Sequence, residues 1–297
     1  MKLKRVVILG CGFVGVRAGR LFVKEGWDVI GVTRSRESAR RLAGERFRVV
    51  ACDITDEVGL SAAKELHDAD AVISAVSAGR GGGEEEYREI YLQGIRNAIG
   101  CLNAGRVLFV SSTSVYGQND GSWVTEEMPA EPETGTGRVL REAEVVTLAH
   151  GGIVARLAGI YGTGRSVILR RFLDGEAVIE GDGGRHMNMI HADDAAGALV
   201  HLIARELAAG IYNVADDVPL TQLECYEWLA AHLGRPLPPR GPVEANRKRG
   251  ITDKRVSNTK LRALGWTLRY PSFQEAVTRD AGLLAGALAG GSGGAQP

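Results

Sequence analysis

Residues 5–15 read Arg-Val-Val-Ile-Leu-Gly-Cys-Gly-Phe-Val-Gly, an apolar run followed by glycines at positions 10, 12 and 15. The apolar run favours a β-strand because β-branched side chains dominate it. The next residues, Val14–Glu25, favour a helix because their apolar side chains recur on one face. A Gly-x-Gly-x-x-Gly turn between a strand and a helix is typical of sites that hold the pyrophosphate of a dinucleotide.

Each glycine of this turn has a separate predicted role. Gly10 permits a tight turn that a Cβ would hinder, Gly12 lets a pyrophosphate approach the backbone, and Gly15 lets the helix pack close to the strand. The N–H groups at the start of the helix then point at the phosphates. Phe13 and Val14 lie inside the turn and are predicted to line the same site. An ordinary glycine turn is the alternative.

The first half of the chain alternates strand-like and helix-like segments. Apolar runs predict strands at Arg5–Leu9, Asp28–Val32, Phe47–Cys52, Ala69–Val76, Arg106–Ser111 and Ile153–Leu157. Amphipathic segments between them, including Glu84–Asn103 and Arg138–Ala149, predict covering helices. Because crossovers between parallel strands are almost always right-handed, this order predicts an α/β fold with a doubly wound parallel sheet of the Rossmann type.

The alternation stops after residue 164, which predicts a second, smaller part. We predict a dinucleotide-binding domain (1–164, with 190–214 returning to it), a smaller C-terminal substrate-binding part (165–189 and 215–285) and a disordered tail (286–297). The tail is predicted because Gly and Ala dominate it. The basic stretch 246–255 predicts a flexible segment or a phosphate contact.

Composition narrows the range of partners. Lys and Arg number 36, as do Asp and Glu, so the net charge of the 297 residues is zero. Nucleic-acid-binding domains usually carry a basic surplus, so we predict a small-molecule substrate and no nucleic-acid partner. No apolar run reaches the about 18–20 residues that span a membrane. The four cysteines lie far apart, which favours reduced thiols in the cytoplasm over a disulfide framework or a metal site.

The end of the second strand bears on the choice of coenzyme. NAD-dependent enzymes usually place Asp or Glu there to bind the ribose 2′-hydroxyl. This chain has Thr33, Arg34, Ser35 and Arg36 instead, whose donors suit a 2′-phosphate. We therefore predict NADP(H) in preference to NAD(H). Solvated arginines at the start of a helix are the alternative.

Three further residues complete the predicted coenzyme site. Asp53 and Ile54 follow the third strand, and Ala75 lies near the end of the fourth. Ligands of doubly wound sheets bind at this carboxyl edge. Asp53 can contact the adenine amino group, or it can cap a turn.

Three later segments accompany the glycine turn. They are Ser111–Gly117 (Ser-Ser-Thr-Ser-Val-Tyr-Gly), Arg156–Gly162 (Arg-Leu-Ala-Gly-Ile-Tyr-Gly) and Ile190–Asp194 (Ile-His-Ala-Asp-Asp). Their order and spacing resemble the extended and atypical short-chain dehydrogenases/reductases, in particular the NAD-dependent epimerase/dehydratase branch. The resemblance implies hydride transfer to or from a carbonyl or alcohol carbon. It also implies a homodimer formed through the two long helices after the fourth and fifth strands.

The resemblance fails at the residues that usually move the proton. In the superfamily a Ser or Thr at the position of Ser112 binds the substrate oxygen, and a Tyr transfers the proton. A Lys four residues after the Tyr lowers the pKa of its phenol. The matching segment here places Thr136 and Leu140 at these two positions, and no Tyr-x-x-x-Lys occurs anywhere in the chain. A Thr hydroxyl cannot replace a phenol as a proton carrier at neutral pH, and Leu carries no charge.

Other residues can substitute for the missing pair. Arg138 lies beside the vacant Tyr position and can stabilise an oxyanion. Tyr116 lies near the end of the fifth strand. Ser112, Arg138 and Tyr116 are therefore the predicted catalytic residues. Tyr161 and His191 are further candidates, and for each of these substitutes a structural role is the alternative.

Two functions remain open from these residues. The first is an NADP(H)-dependent oxidoreductase, or a sugar-nucleotide epimerase or reductase, in which Ser112 holds the substrate oxygen. Arg165 and the basic stretch 246–255 favour an anionic substrate for it. The second is a non-catalytic NADP(H)-binding redox sensor or scaffold, because such a role predicts the loss of both Tyr and Lys.

Overall fold

The structure is a computed structural model that describes residues 3–79, 82–243 and 252–289. Within these residues the strands are β1 (Arg5–Leu9), β2 (Asp28–Thr33), β3 (Arg48–Ala51), β4 (Ala71–Ser74), β5 (Val107–Ser112), β6 (Trp123–Val124), β7 (Ile153–Leu157), β8 (Gly159–Tyr161), β9 (Ile179–Glu180), β10 (His186–Met187), β11 (Met189–His191), β12 (Gly210–Val214), β13 (Leu220–Thr221), β14 (Arg240–Gly241) and β15 (Arg255–Val256). Seven of them form the central sheet, and the rest pair as short two-stranded ribbons.

The helices of the same residues are α1 (Gly15–Lys24), α2 (Arg36–Arg41), α3 (Glu57–Ala62), α4 (Glu84–Tyr87), α5 (Gly94–Leu102), α6 (Gly135–Ala149), α7 (Val167–Leu173), α8 (Ala192–Ala204), α9 (Gln222–Leu233), α10 (Thr259–Ala263), α11 (Phe273–Arg279) and α12 (Ala281–Ala289). A π-helical segment, Arg88–Gln93, joins α4 to α5, and short 3₁₀ turns lie at Lys64–Leu66 and Thr113–Val115. No helix in the described part of the chain is long and apolar enough to cross a lipid bilayer.

The central sheet has the strand order β12-β7-β5-β4-β1-β2-β3, and all its pairs are parallel. The order reverses between β1 and β4, and such a reversal opens a crevice at the carboxyl edge of the sheet. Helices cover both faces, so Val6–Leu9 of β1 are fully buried. The predicted α/β fold with a doubly wound parallel sheet is confirmed.

Buried side chains form one cluster on each face of the sheet and a third in the C-terminal part. Val6 and Ile8 of β1 face one cluster, and Val7 and Leu9 face the other, because successive strand residues point to opposite sides. The third cluster packs α7, α9, α11 and α12 together around residues such as Phe273.

Two features of the C-terminal part differ from the sequence prediction. Val256, Leu261 and Trp266 pack into a cluster of the central sheet, although the sequence assigned them to the substrate-binding part. Residues 286–289, predicted as the start of a disordered tail, are helical because α12 buries Leu283 and Ala287 in the third cluster. Residues 290–297 of the predicted tail and residues 244–251, which include most of the basic stretch, lie outside the described residues.

Candidate active site

A cleft of about 1130 Å³ lies along the carboxyl edge of the central sheet. It crosses the point between β1 and β4 where the strand order reverses. One end is lined by residues that follow β2 and β3, and the other by the end of β5 and the start of α6. Because small-molecule sites usually enclose roughly 300–1,000 Å³, this cleft has room for a dinucleotide together with a substrate.

The glycine turn forms the centre of the cleft. Gly10 has a φ of 94°, in the left-handed region, and a Cβ there would lie 2.6 Å from the backbone nitrogen of Val76. A Cβ on Gly15 would clash with the Gly10 carbonyl oxygen, so α1 packs directly against the turn. A Cβ on Gly12 would meet no atom within 4 Å. The turn therefore leaves open the space that a pyrophosphate needs at the start of a helix.

Phe13 marks the place where the C-terminal part meets the glycine turn. The guanidinium of Arg17 lies 4.2 Å from the centroid of the Phe13 ring, and that of Arg165 lies 5.4 Å from it. Phe13, Val14 and Arg165 all line the cleft. Arg165 thus brings a positive charge next to the turn, where it suits an anionic phosphate.

Polar residues after β2 line one end of the cleft. Thr33, Arg34 and Ser35 lie there as predicted residues of the coenzyme site, together with Ser38. The Ser35 hydroxyl accepts a hydrogen bond from the Ser38 N–H at 3.2 Å, which caps α2. Arg34 is exposed at the cleft, whereas Arg36 does not line it. The residues after β2 thus bring hydroxyl groups and one guanidinium to this end of the cleft, and no carboxylate is among them.

The other predicted coenzyme residues also line the cleft. Asp53 accepts hydrogen bonds from the backbone N–H and the hydroxyl of Thr55, at 3.0 and 2.8 Å. It therefore caps a turn while it borders the cleft beside Ile54. Ala75 donates its N–H to the Leu9 carbonyl at 2.7 Å, which holds the segment after β4 against the glycine turn.

Ser112 lies at the opposite end of the cleft. It ends β5, and its hydroxyl accepts a hydrogen bond from the Ser114 N–H at 3.2 Å. Thr136 and Leu140 of α6 line the same end. The structure therefore brings Ser112 together with the two positions that the resemblance assigns to Tyr and Lys. None of the cleft-lining residues that the structure describes is a lysine.

A buried ion pair lies behind Ser112. Glu144 of α6 accepts hydrogen bonds from Arg156 Nε at 2.9 Å, from Arg156 Nη2 at 2.7 Å and from the Ser111 hydroxyl at 2.6 Å. Arg141 also donates to Glu144. Glu144 is 0% exposed and Arg156 is 1% exposed. Because Ser111 precedes Ser112, this network fixes the end of β5 against α6 and β7.

Tyr116 does not reach the cleft, so its predicted catalytic role is wrong. The side chain is fully buried, and its hydroxyl lies 2.9 Å from Asn213 Oδ1 and 3.0 Å from the Thr125 carbonyl oxygen. Burial raises the pKa of the Tyr116 phenol, and the nearby Arg156 guanidinium only partly offsets this effect. Tyr116 therefore anchors the segment after β5 to β12.

Arg138 does not line the cleft, and the structure gives no support to its predicted role as an oxyanion donor. Its side chain is exposed and donates from Nη1 to the Glu133 carbonyl at 2.7 Å. A helix turns by about 100° per residue, so residues four apart share a face and a residue midway between them faces the other side. Thr136 and Leu140 share the inner face of α6, and Arg138 lies on the solvent side.

His191 and Tyr161 are buried outside the cleft. Nδ1 of His191 accepts from the Asp193 N–H at 3.2 Å, which caps α8, and Nε2 lies 3.2 Å from Asp280 Oδ2. Burial lowers the pKa of His191. The Tyr161 hydroxyl has no hydrogen-bond partner among the described residues, and burial raises its pKa. Both side chains fit the structural alternative.

The sequence reasoning missed Tyr87 and Tyr91. Both line the cleft, and their ring centroids lie 4.8 Å apart. The Tyr91 hydroxyl accepts a hydrogen bond from the Ala78 N–H at 3.1 Å. A signal for them existed, because two tyrosines four residues apart share one face of the helix that follows the fourth strand.

A glycine turn and an open cleft at the switch point of a parallel sheet define a Rossmann-type nucleotide-binding protein. The chain belongs to the NAD-dependent epimerase/dehydratase family, whose family model matches residues 6–215. The resemblance found in the sequence is thereby confirmed. The family places the protein among NAD(P)-binding oxidoreductases.

Individual relatives agree with this assignment. Protein YeeZ of Escherichia coli strain K12 is 31% identical, over 91% of this chain and 97% of YeeZ. The 2′-dehydrokanamycin reductase of Streptomyces kanamyceticus is 32% identical over 47% of this chain and 44% of its own length. DesIV, a dTDP-glucose 4,6-dehydratase of Streptomyces venezuelae with NAD and TYD bound, is 23% identical with a TM-score of 0.79, over 97% of this chain and 98% of DesIV. This last likeness shows the shared fold.

Proposed function

We propose that this protein is an NADP(H)-dependent reductase that transfers hydride to the carbonyl carbon of a small molecule. The observation that carries the proposal is the open space at Gly12, which lies between Arg34 at one end of the cleft and Ser112 at the other. A coenzyme along this cleft would place its phosphate-bearing ribose and its reactive ring at opposite ends. The relative named as a 2′-dehydrokanamycin reductase supports the reaction class.

Residues of this chain would bind the coenzyme and polarise the carbonyl group of the substrate. Backbone N–H groups of the glycine turn would hold the pyrophosphate, and Arg34 and Ser35 would hold the 2′-phosphate. A bound reduced nicotinamide would supply the hydride. The Ser112 hydroxyl would donate a hydrogen bond to the substrate oxygen and stabilise the negative charge that develops on it.

Thr136 and Leu140 favour reduction of a carbonyl group over oxidation of an alcohol. Oxidation of an alcohol needs a base, and a phenol serves as one at neutral pH only when a neighbouring charge lowers its pKa. Leu140 provides no such charge. Reduction needs only a proton donor, which an ordinary phenol or water can be.

The charge of Arg165 is the observation that favours an anionic group on the substrate. Its position beside the glycine turn also suits the coenzyme pyrophosphate. Residues 252–255, the described part of the basic stretch, do not further favour an anionic substrate. Lys254 donates to the Thr252 hydroxyl, Arg255 donates to the Gly121 carbonyl, and neither lines the cleft.

Replacement of Arg34 by Ala should weaken NADPH binding and leave NADH binding nearly unchanged. A charge-assisted hydrogen bond contributes about 1.5–3 kcal/mol, so we expect a roughly 10- to 100-fold loss for NADPH. Fluorescence titration of both nucleotides measures this. Arg36→Ala is the matched control. It also removes one positive charge, two residues further along the chain, but from a side chain that does not line the cleft. An unchanged NADPH/NADH ratio in Arg34→Ala would place the 2′-phosphate elsewhere.

Replacement of Ser112 by Ala should lower turnover by about 100-fold or more, because loss of one donor to a developing oxyanion typically has that effect. The affinity for NADPH should stay the same. The measurement is NADPH oxidation against a panel of aldehydes, ketones and keto sugars. Equal rates in Ser112→Ala and the unsubstituted protein would show that the substrate oxygen does not bind at the end of β5.

A non-catalytic NADP(H) sensor is the second candidate, and the cleft positions of Thr136 and Leu140 favour it. The same assay separates the two functions. Tight NADPH binding without oxidation by any compound of the panel is the result expected of a sensor. Turnover that depends on Ser112 is the result expected of a reductase.

A further inference from the structure

We infer that Tyr91 is the proton donor of the proposed reductase, in place of the Tyr whose position Thr136 occupies. The inference rests on the proposed function, since reduction of a carbonyl to an alcohol needs a proton on oxygen as well as hydride on carbon. The predicted substitutes do not meet this need. Tyr116 is buried away from the cleft, and Arg138 lies on the solvent side of α6.

Exposure distinguishes Tyr91 from the other tyrosines of the chain. All seven tyrosines lie in the described residues, and six of them are buried, each at most 7% exposed. Tyr91 alone is half-buried, and it lines the cleft. It is therefore the phenol most accessible to a ligand in the cleft.

Two contacts place Tyr91 on the same side of the switch point as Ser112. Its hydroxyl accepts from the Ala78 N–H, in the segment after β4, at 3.1 Å. Its ring meets Phe109 of β5 edge to face, with centroids 6.3 Å apart. Phe109 lies three residues before Ser112 on the same strand. The Tyr91 phenol thus lies beside the segment that follows β4, and its ring lies next to the middle of β5, on the opposite side of the switch point from Arg34.

The backbone around Tyr91 departs from a regular helix. Tyr91 lies in the π-helical segment Arg88–Gln93 between α4 and α5. A π turn adds a residue to the helical turn, and such turns are frequent at functional sites. The buried ring of Tyr87 lies against that of Tyr91, with centroids 4.8 Å apart, and restricts its orientation.

The proposed step balances in atoms and electrons. A C–H bond forms at the carbonyl carbon, with the hydride supplied by the reduced nicotinamide nucleotide. The π electron pair of the carbonyl moves to oxygen, which takes the proton of the Tyr91 hydroxyl. The substrate gains two electrons and the nucleotide loses two. The Ala78 N–H bond stabilises the phenolate that remains, and water returns the proton.

Nitration tests the position of Tyr91 without any knowledge of the substrate. The full chain is treated with tetranitromethane in the presence and absence of saturating NADPH, and peptide mass spectrometry locates nitrotyrosine. We expect nitration mainly at Tyr91 and a several-fold decrease with NADPH. Nitration of Tyr91 that NADPH does not decrease, under conditions where titration shows binding, would overturn the inference.

Turnover tests its chemistry. Tyr91→Phe should lower kcat for carbonyl reduction by about 100-fold or more, the usual contribution of a general acid, with the Kd of NADPH unchanged. Tyr161→Phe removes a buried hydroxyl outside the cleft and should keep full activity. An active protein that loses nothing in Tyr91→Phe refutes the role of Tyr91 and leaves the reductase proposal standing. A protein that reduces no carbonyl compound refutes the reductase proposal, and the nitration result then decides separately whether Tyr91 lies beside the coenzyme.

Discussion

Replacement of Gly12 by Val should abolish coenzyme binding and leave the fold intact. A Cβ at this position meets no protein atom within 4 Å, so the folded chain has room for the larger side chain. The same space is where a pyrophosphate must approach the backbone. We expect the affinity for NADPH to fall by at least about 100-fold, equivalent to about 2.8 kcal/mol. Thermal melting without coenzyme should be unchanged, and calorimetric titration measures the affinity.

Two other glycines provide controls for this result. Gly44→Val adds the same side chain at an exposed glycine outside the cleft, where a Cβ also meets no atom within 4 Å. That variant should keep both NADPH affinity and melting temperature. Gly15→Ala creates a clash with the Gly10 carbonyl oxygen and should lower the melting temperature. Undiminished NADPH binding by Gly12→Val would mean that the nucleotide does not contact the glycine turn.

Replacement of Glu144 by Ala should strongly destabilise the fold. The variant leaves the Arg156 guanidinium, 1% exposed, without its carboxylate partner. Removal of one member of a buried ion pair typically costs about 3–5 kcal/mol. The loss should appear as a lower free energy of unfolding in urea. It should also displace Ser112, because the neighbouring Ser111 hydroxyl donates to Glu144.

A second carboxylate on the same helix provides the matched control. Glu142 is exposed and pairs with Arg88 at 2.7 Å, so Glu142→Ala should change stability far less. The double variant Glu144→Leu/Arg156→Met should recover part of the lost stability, since it leaves no unpaired buried charge. Equal stabilities of Glu144→Ala and Glu142→Ala would contradict a structural role for the buried pair.

The fold could be predicted because its signals are local. The strand at Arg5–Leu9 and the glycine turn after it lie within eleven residues, and the apolar runs that follow mark the other strands of a buried parallel sheet. The sequence also located Thr33, Arg34, Ser35 and Asp53, because carboxyl ends of parallel strands share one edge. Each of them lines the cleft.

The catalytic end could not be predicted in the same way, because it depends on the orientation of side chains. Arg138 lies between Thr136 and Leu140 in the sequence, but its side chain is on the solvent side of α6. Tyr116 lies four residues after Ser112, which lines the cleft. Its hydroxyl nevertheless lies in the interior, where it forms hydrogen bonds with Asn213 and Thr125. The direction of the Tyr116 side chain depends on packing between elements far apart in the chain, and that of Arg138 depends on which face of α6 lies against the sheet.

Tyr91 was missed for a related reason. The amphipathic pattern of residues 84–103 predicts one continuous helix and does not reveal the π-helical segment in which Tyr91 lies. The residues that it contacts, Ala78 after β4 and Phe109 of β5, belong to other segments of the chain. The sequence showed that the usual proton carrier is absent, and the structure was needed to find a candidate for its replacement.

Calorimetric titration of the full chain with NADPH and with NADH tests most directly whether the cleft holds a nicotinamide coenzyme against the glycine turn. We predict one NADPH bound per chain, with a higher affinity than for NADH. Absence of heat with both nucleotides, from protein that melts in a cooperative transition, would contradict a coenzyme site at Gly10, Gly12 and Gly15.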